Sequence, residues 1–236
     1  MHPDMEMLRC AIVRGGTSKG IFIMKNEYPE DPATRDAVIL AVYGSPDVRQ
    51  IDGLGGADVL TSKLAIISPS NRPDADVDYT FGQVSFETAF VDYRGNCGNI
   101  SSAVGPFAID EGLVAPVEPI TTVRIRMTNS NRILIAEVPV KDGKALIDGD
   151  YAIDGVPGTG AKIAMDWSAV VGGITGKLLP TGNAKRHHRS GWGQVGRVYR
   201  RRRQSGGVYP RRQPEHEGHR VAVRDRVQQA RSEGVV

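Results

Sequence analysis

The chain has 236 residues, of which 40% are hydrophobic and 24% charged, and its formal net charge is +3. This length is sufficient for one large domain or two small ones with a buried core. No apolar run reaches the roughly 18 residues of a membrane span, and the N-terminus lacks the basic region and apolar core of a signal peptide. The sequence therefore indicates a cytoplasmic protein with no membrane partner.

The cysteine content argues against a disulfide framework. Only Cys10 and Cys97 are present, which is too few for a cysteine-rich metal site. Free thiols are typical of a reducing compartment. The sequence thus predicts no metal centre.

The charge is divided unevenly between two segments. Residues 185–236 contain fourteen Lys and Arg against four Asp and Glu, whereas residues 1–184 contain sixteen against twenty-three. The C-terminal segment also has no Leu, Ile, Phe or Met. Such a composition buries too little apolar surface to form a core, so we expect a domain at 1–184 and a disordered tail at 185–236.

The first predicted element is a β-hairpin. Residues 7–14 and 21–25 are apolar strands, joined by the sequence GGTSKG at residues 15–20. This loop is rich in backbone and hydroxyl donors, which makes it a candidate carboxylate-binding loop, with a purely structural turn as the alternative. It lacks the glycine and lysine spacing of a phosphate loop.

A helix and a lysine-bearing strand follow. Asp31 is a capping residue, Pro32 suits the first helical position, and the apolar pattern continues to Tyr43. After a second glycine-rich loop, Lys63 opens an apolar strand at residues 61–68. From the residues alone, this lysine is either a solvated flank, which is the commoner role, or a catalytic amine.

The remaining segments are mostly strands. Alternating apolar residues predict strands at 77–86, 121–127, 132–140, 145–147 and 161–167. Many strands with one or two helices indicate an α+β fold, with a curved sheet wrapped on a central helix.

Residues 94–112 predict that central helix and a reactive thiol before it. Two glycines and two asparagines surround Cys97, and a small-residue-rich apolar run follows. Gly and Asn tolerate positive φ, so we expect a tight turn that leads into a helix N-terminus. Such a position favours anions and lowers the pKa of a thiol. Cys97 is therefore a candidate for proton transfer, although a lone cysteine is more often a small buried apolar residue.

Three stretches in this order resemble the PrpF family, whose members isomerise or tautomerise methylaconitate, methylitaconate or oxalomesaconate. They are RGGTSKG at 14–20, DGLGGA at 52–57 with TSK at 61–63, and GNCGN at 95–99 with SSAVGP at 101–106. The resemblance extends from about residue 7 to residue 184.

The resemblance implies a diaminopimelate-epimerase-like fold of two similar halves, each a curved, mostly antiparallel sheet around a central helix, with the active site between them. It implies no cofactor and no metal. The acid/base pair of the family maps onto Lys63 and Cys97, which would remove and return a proton on a small unsaturated di- or tricarboxylate. The implied substrate-binding residues are Thr17, Ser18, Asn96, Gly98 and Asn99.

After residue 184 the sequence departs from the family pattern. A family member continues with a strand resembling VSIVDAANPVVF, whereas this chain has KRHHR and later RRRR. Synonymous codons can be chosen for residues 197–210 that, read one base later, encode this family segment. We therefore hypothesise that a frameshift near Ala184 replaced the second half with unrelated residues, which leaves a chain of weak or no activity.

Other function classes stay open. The Arg-rich tail could bind polyanions without specificity, but it contains no recognisable module, so no specific nucleic-acid partner is predicted. Four histidines lie in the tail, where no ordered scaffold is expected to make them a metal site. The chain could also be an accessory protein that keeps the isomerase fold without its chemistry. The sequence leaves open which acid is used and whether the chain forms a homo-oligomer.

Overall fold

The fold is known from a computed structural model, which describes residues 7–170, 185–190 and 193–198. The elements in chain order are β1 (Ala11–Gly15), β2 (Ser18–Met24), α1 (Pro32–Tyr43), β3 (Lys63–Pro69), β4 (Val77–Val84), β5 (Val91–Asp92), α2 (Gly98–Ser101), α3 (Val104–Asp110), β6 (Ile120–Met127), β7 (Arg132–Lys141), β8 (Lys144–Ala145), β9 (Ala164–Asp166), β10 (Lys185–Ser190) and β11 (Gly193–Val198).

The strands β1 to β9 form one sheet. Its order is β1-β2-β3-β4-β6-β7-β8, with β5 added beside β4 and β9 beside β7. The pairs β2–β3 and β4–β6 are parallel, and the other pairs are antiparallel. The prediction of an α+β fold with a curved, mostly antiparallel sheet is confirmed.

Each face of the sheet carries its own apolar core. The inner face packs around α2 and α3 through residues such as Val104, Ala108 and Leu134. The outer face of β2 and β3 packs against α1 through Ile39 and Tyr43. At β3 the sheet is therefore covered on both faces, which explains why nearly every residue of that strand is apolar.

The ends of α1 match their sequence signals. The Asp31 carboxylate accepts a hydrogen bond of 2.8 Å from the Thr34 amide, and Gly44 ends the helix with a φ of 65°. At the last residue of the helix, the buried Tyr43 hydroxyl donates a hydrogen bond to the carbonyl of Lys63. This bond joins α1 to the first residue of β3.

The predicted central helix is two helices. The segments α2 and α3 are separated at residues 102–103. Pro106 has no N–H to donate to the carbonyl four residues earlier, so the helical ladder is interrupted and starts again at Val104. The strands expected at 7–14, 145–147 and 161–167 are present at shifted or shorter bounds.

The predicted tail is described only in part. Strands β10 and β11 pair antiparallel, with Lys185 opposite Val198. The boundary expected at residue 184 and the predictions for 199–236 lie outside the described residues. None of the helices in the described ranges has the length and hydropathy that crossing a bilayer requires.

Candidate active site

Lys63 lies on the face of the sheet that packs around α2 and α3. Side chains alternate along β3, and Ala65 and Ile67, which are in phase with Lys63, belong to that inner core. Leu64 and Ile66 belong to the outer core with α1. Lys63 is only 9% exposed. Its amine is therefore an inward-facing group at the first residue of a buried strand.

Cys97 is the residue that precedes α2. Its backbone is extended, with φ of −119° and ψ of 113°, and its carbonyl accepts hydrogen bonds from the amide of Ser101 at 3.2 Å and the hydroxyl of Ser101 at 2.5 Å. The side chain is half-buried and packs against the inner core. The predicted helix N-terminus after Cys97 is confirmed, but the predicted tight turn is wrong: residues 95–97 form no turn, and none of the glycines and asparagines around Cys97 has a positive φ.

Ser18 lies beside the thiol. Its Oγ is 3.7 Å from the Sγ of Cys97, and either group can donate the hydrogen bond. Ser18 is 1% exposed and is the first residue of β2. Because β2 runs parallel to β3, with Gly20 opposite Lys63, both strands begin at the same edge of the sheet. The topology thus brings Ser18, Lys63 and Cys97 to one edge.

The surroundings of Lys63 change the pKa of its amine in opposite directions. Burial lowers the pKa of the ammonium, and the negative charges of Cys97 as thiolate and of Asp58 raise it again in part. The Nζ also lies 5.7 Å from the centre of the Phe81 ring. Cys97 is thus close enough to Lys63 for a negative charge on the sulfur to raise the pKa of the amine.

The β1–β2 turn packs closely against the start of α2. A Cβ on Gly15 would lie 2.7 Å from the carbonyl oxygen of Asn99 and 2.8 Å from the Cα of Ile100. Gly16 has a φ of 54°, and a Cβ there would collide with the Asn99 side chain. Only glycine allows both the turn and this close approach. The first and third motifs of the sequence are therefore in contact.

The other predicted binding residues surround this contact. Thr17 is half-buried at the tip of the hairpin, and Asn96 is 6% exposed. Gly98 is half-buried and Asn99 is exposed at the start of α2. Their role in substrate binding stays a prediction. Within the described residues, no group of three or more His, Cys, Asp or Glu is placed to hold a metal ion.

Gln83 is a site residue that the sequence analysis missed. It lies directly opposite Lys63 in the β3–β4 pair, and its Oε1 accepts a hydrogen bond from the Lys63 Nζ. A signal was present in the sequence. Gln83 is in phase with Val77, Tyr79 and Phe81, which all face the inner core, so a polar residue at this position is directed inward rather than to solvent.

A wide groove begins beside the site. Its volume is about 890 Å³, and it runs between β1, α3 and the segment 145–167. Gly16, Gly98 and Asn99 line one end of it. Neither Lys63 nor Cys97 is among the described residues that line it. The groove therefore adjoins the amine and the thiol without containing them.

The chain is similar to known proteins. The model of the family described as "PrpF protein" matches residues 5–198. The 3-methylitaconate isomerase of Eubacterium barkeri is 63% identical over 76% of this chain and 47% of its own length. The 4-oxalomesaconate tautomerase of Pseudomonas putida is 53% identical over 75% of this chain and 49% of its own length.

A solved structure supports the same relationship. The crystal structure of a methylitaconate-delta-isomerase superposes with a TM-score of 0.75 at 59% sequence identity, over 82% of this chain and 50% of that chain. The chain thus spans about half the length of the relatives that it matches. Since the family model covers most of the sequence and the arrangement of the three motifs is present, this chain belongs to the PrpF family.

Proposed function

We propose that this chain is the first half of a cofactor-independent isomerase that moves a proton and a double bond in an unsaturated di- or tricarboxylate. The observation that supports this most is the placement of the Lys63 amine on the inner face of the sheet, at the end where β2 also begins and where Ser18 contacts the Cys97 thiol. The relatives are named for methylitaconate and oxalomesaconate, which are acids of this class. We place the reaction in the cytoplasm.

The proposed chemistry is a proton transfer between two carbons of an allylic system. One of Lys63 and Cys97 removes a proton from the carbon beside the double bond, and the electron pair spreads towards the conjugated carboxylate. The other group delivers a proton to the far carbon, so the double bond moves and no net proton is consumed. Hydrogen bonds from the glycine-rich turns would stabilise the transient negative charge.

An amine suits this role only if it can gain and lose a proton near neutral pH. The pKa of a lysine in water is too high for that, and burial of Lys63 lowers it. Cys97 brings a polarisable thiol to the same edge of the sheet, beside the hydroxyl of Ser18. These residue types, at one end of the sheet, support the proposed acid/base exchange.

Exposed apolar side chains lie in the segment that precedes β3. Several large apolar side chains between the end of α1 and the start of β3 are exposed, namely Val48, Ile51, Leu54, Val59 and Leu60. An exposed apolar group of this kind is typical of a surface that normally has a partner. We propose that the second half of a full-length relative covers it, and that this chain alone has weak or no activity.

A fusion protein tests the proposed function. Residues 1–184 of this chain are joined to the second half of the Eubacterium barkeri relative, and deuterium uptake from D2O into methylitaconate, methylaconitate and oxalomesaconate is followed by ¹H NMR. We expect uptake into at least one acid. The variants Lys63→Ala and Cys97→Ser should each lower the rate by about 10²-fold or more.

Two outcomes would contradict the proposal. A folded fusion that exchanges no proton of any of the three acids removes the isomerase function. Full exchange in both variants would show that the chemistry does not use this pair.

A further inference from the structure

We propose that Gln83 is a positioning residue, which holds the Lys63 ammonium on the side of Cys97 where the proposed proton transfer takes place. This inference rests on the proposed function. Gln83 is the direct cross-strand neighbour of Lys63, and both side chains face the inner core. The Lys63 Nζ donates to the Gln83 Oε1.

The orientation of the Gln83 amide is fixed by its other contacts. The Nε2 donates to the carbonyl of Ser62 at 3.1 Å and to the carbonyl of Val84 at 3.3 Å. If the amide were turned over, its oxygen would face these two carbonyl oxygens and its NH₂ group would face the ammonium. All three contacts would then be repulsive. Backbone groups of β3 and β4 thus direct the Oε1 towards Lys63.

This contact restricts a side chain that is otherwise flexible. A lysine has four rotatable stem bonds, and its ammonium carries three donors. One donor is used by Gln83, and the ring of Phe81 lies 5.7 Å from the Nζ. The remaining donors are free to meet the thiol or a substrate. Gln83 therefore converts a mobile amine into one with a defined direction.

The neutrality of Gln83 also fits a group that must change its protonation. The charges that act on Lys63 come from Cys97 and Asp58. An amide oxygen stabilises an ammonium modestly and can also accept from a neutral amine, whereas a carboxylate at the same place would stabilise the ammonium much more strongly. Gln83 thus orients the Lys63 amine and, being neutral, does not hold it permanently in the charged form.

Titration of Lys63 tests this inference without any substrate. The 236-residue chain is labelled with ¹³C at the lysine Cε, the Lys63 signal is assigned with Lys63→Arg, and its titration midpoint is measured in the parent, Gln83→Met and Gln83→Glu. We expect a lower midpoint in Gln83→Met and a midpoint raised by about one unit or more in Gln83→Glu. Thr80→Val is a matched control, because Thr80 is on β4 but bonds to Thr128 on the other face.

The outcomes separate this inference from the proposed function. If Lys63 titrates at the same pH in the parent and in both folded variants, Gln83 does not position it. Gln83→Glu keeps the acceptor oxygen and decides the case if Gln83→Met fails to fold. In the fusion protein, Gln83→Met should lower kcat about tenfold with little change in KM. Shifted midpoints in a fusion that exchanges no proton would overturn only the proposed function.

Discussion

The Sγ of Cys97 lies 3.7 Å from the Oγ of Ser18, although the two residues are 79 positions apart in the chain. This contact exists because β2 begins at the edge of the sheet where α2 also begins. A hydroxyl at this distance can donate to a thiolate and stabilise it, or accept from a thiol and orient it. It connects the first sequence motif to the third.

We expect Ser18→Ala to slow proton exchange in the fusion protein. Loss of one hydrogen bond to a charged sulfur corresponds to roughly 1.5 kcal/mol, or about a tenfold lower rate. Deuterium uptake measured by ¹H NMR gives the rate. Ser102→Ala, at the end of α2, is a control, because the Ser102 hydroxyl bonds only to the carbonyl of Asn99 in the described structure. An unchanged rate in Ser18→Ala would show that the contact has no part in the chemistry.

Lys63 should reduce the stability of the fold at neutral pH. Burial lowers its pKa below the ordinary value of 10.5. Between the folded and unfolded pKa values the unfolded chain binds more protons, so the free energy of unfolding rises with pH in that window. Lys63→Met removes the cost of burying the charge, and we expect it to raise the free energy of unfolding by about 1 kcal/mol at neutral pH.

Urea denaturation at several pH values tests this expectation. The gain in Lys63→Met over the parent should shrink as the pH approaches the ordinary lysine value of 10.5, because the parent then loses its buried charge. Lys25→Met, at an exposed position after β2, is the control and should show no such dependence. A gain that grows with pH would mean that burial does not disfavour the charged form of Lys63.

Gly105 permits the close contact between α3 and β7. A Cβ at this position would lie 2.7 Å from the Cγ2 of Val138. Gly105→Ala should therefore destabilise the fold by roughly 1 to 3 kcal/mol. The loss should be smaller when Val138→Ala is already present, since the clashing methyl group is then gone. Gly95→Ala is a control, because its Cβ would meet Phe81 at an ordinary 3.7 Å.

Chemical denaturation of the four Gly105 and Val138 combinations measures this coupling. Equal losses in the presence and absence of Val138 would show that the helix accommodates the methyl group by another movement.

Gln50 should hold the loop that precedes Lys63. Its Oε1 accepts hydrogen bonds of 2.8 Å from the Ala57 amide and from the Ser62 hydroxyl, and its Nε2 donates to Ser45 at 2.9 Å. Gln50 is 1% exposed. We expect Gln50→Leu to release the loop, with hydrogen exchange of the 53–61 amides faster by at least tenfold, because buried partners lose their bonds. Unchanged exchange rates in this loop would contradict that role.

The local parts of the fold were predictable from the sequence. Asp31 and Gly44 mark the ends of α1 because capping and positive φ depend on neighbouring residues alone. The hairpin of β6 and β7 was predictable for the same reason. The parallel pairs β2–β3 and β4–β6 were not, because they join segments separated by long connections.

The candidate site was predictable only where the type of residue within a motif identifies it. Lys63 and Cys97 were identified through the family motifs. The contact of Gln83 with Lys63 depends on the register of two strands, which a single sequence does not specify. The split between α2 and α3 was missed as well, although Pro106 was a visible reason for it.

The hypothesis on the C-terminal tail has its own test. If residues 185–236 come from a shifted reading frame, the coding DNA read one base later after codon 184 should encode the second half of a PrpF protein. We also expect trypsin to remove most of this segment and to leave residues 1–184, as seen by mass spectrometry. A shifted frame that encodes no PrpF sequence would remove the hypothesis.

We propose that the Lys63 amine and the Cys97 thiol are neighbours in one site. o-Phthalaldehyde tests it directly in the chain as it exists, because the reagent forms a fluorescent isoindole from a neighbouring primary amine and thiol. We predict isoindole fluorescence in the parent and in Cys10→Ser, and its loss in Cys97→Ser and in Lys63→Met. Fluorescence that persists without Cys97 or without Lys63, or a parent that gives none, would contradict the account.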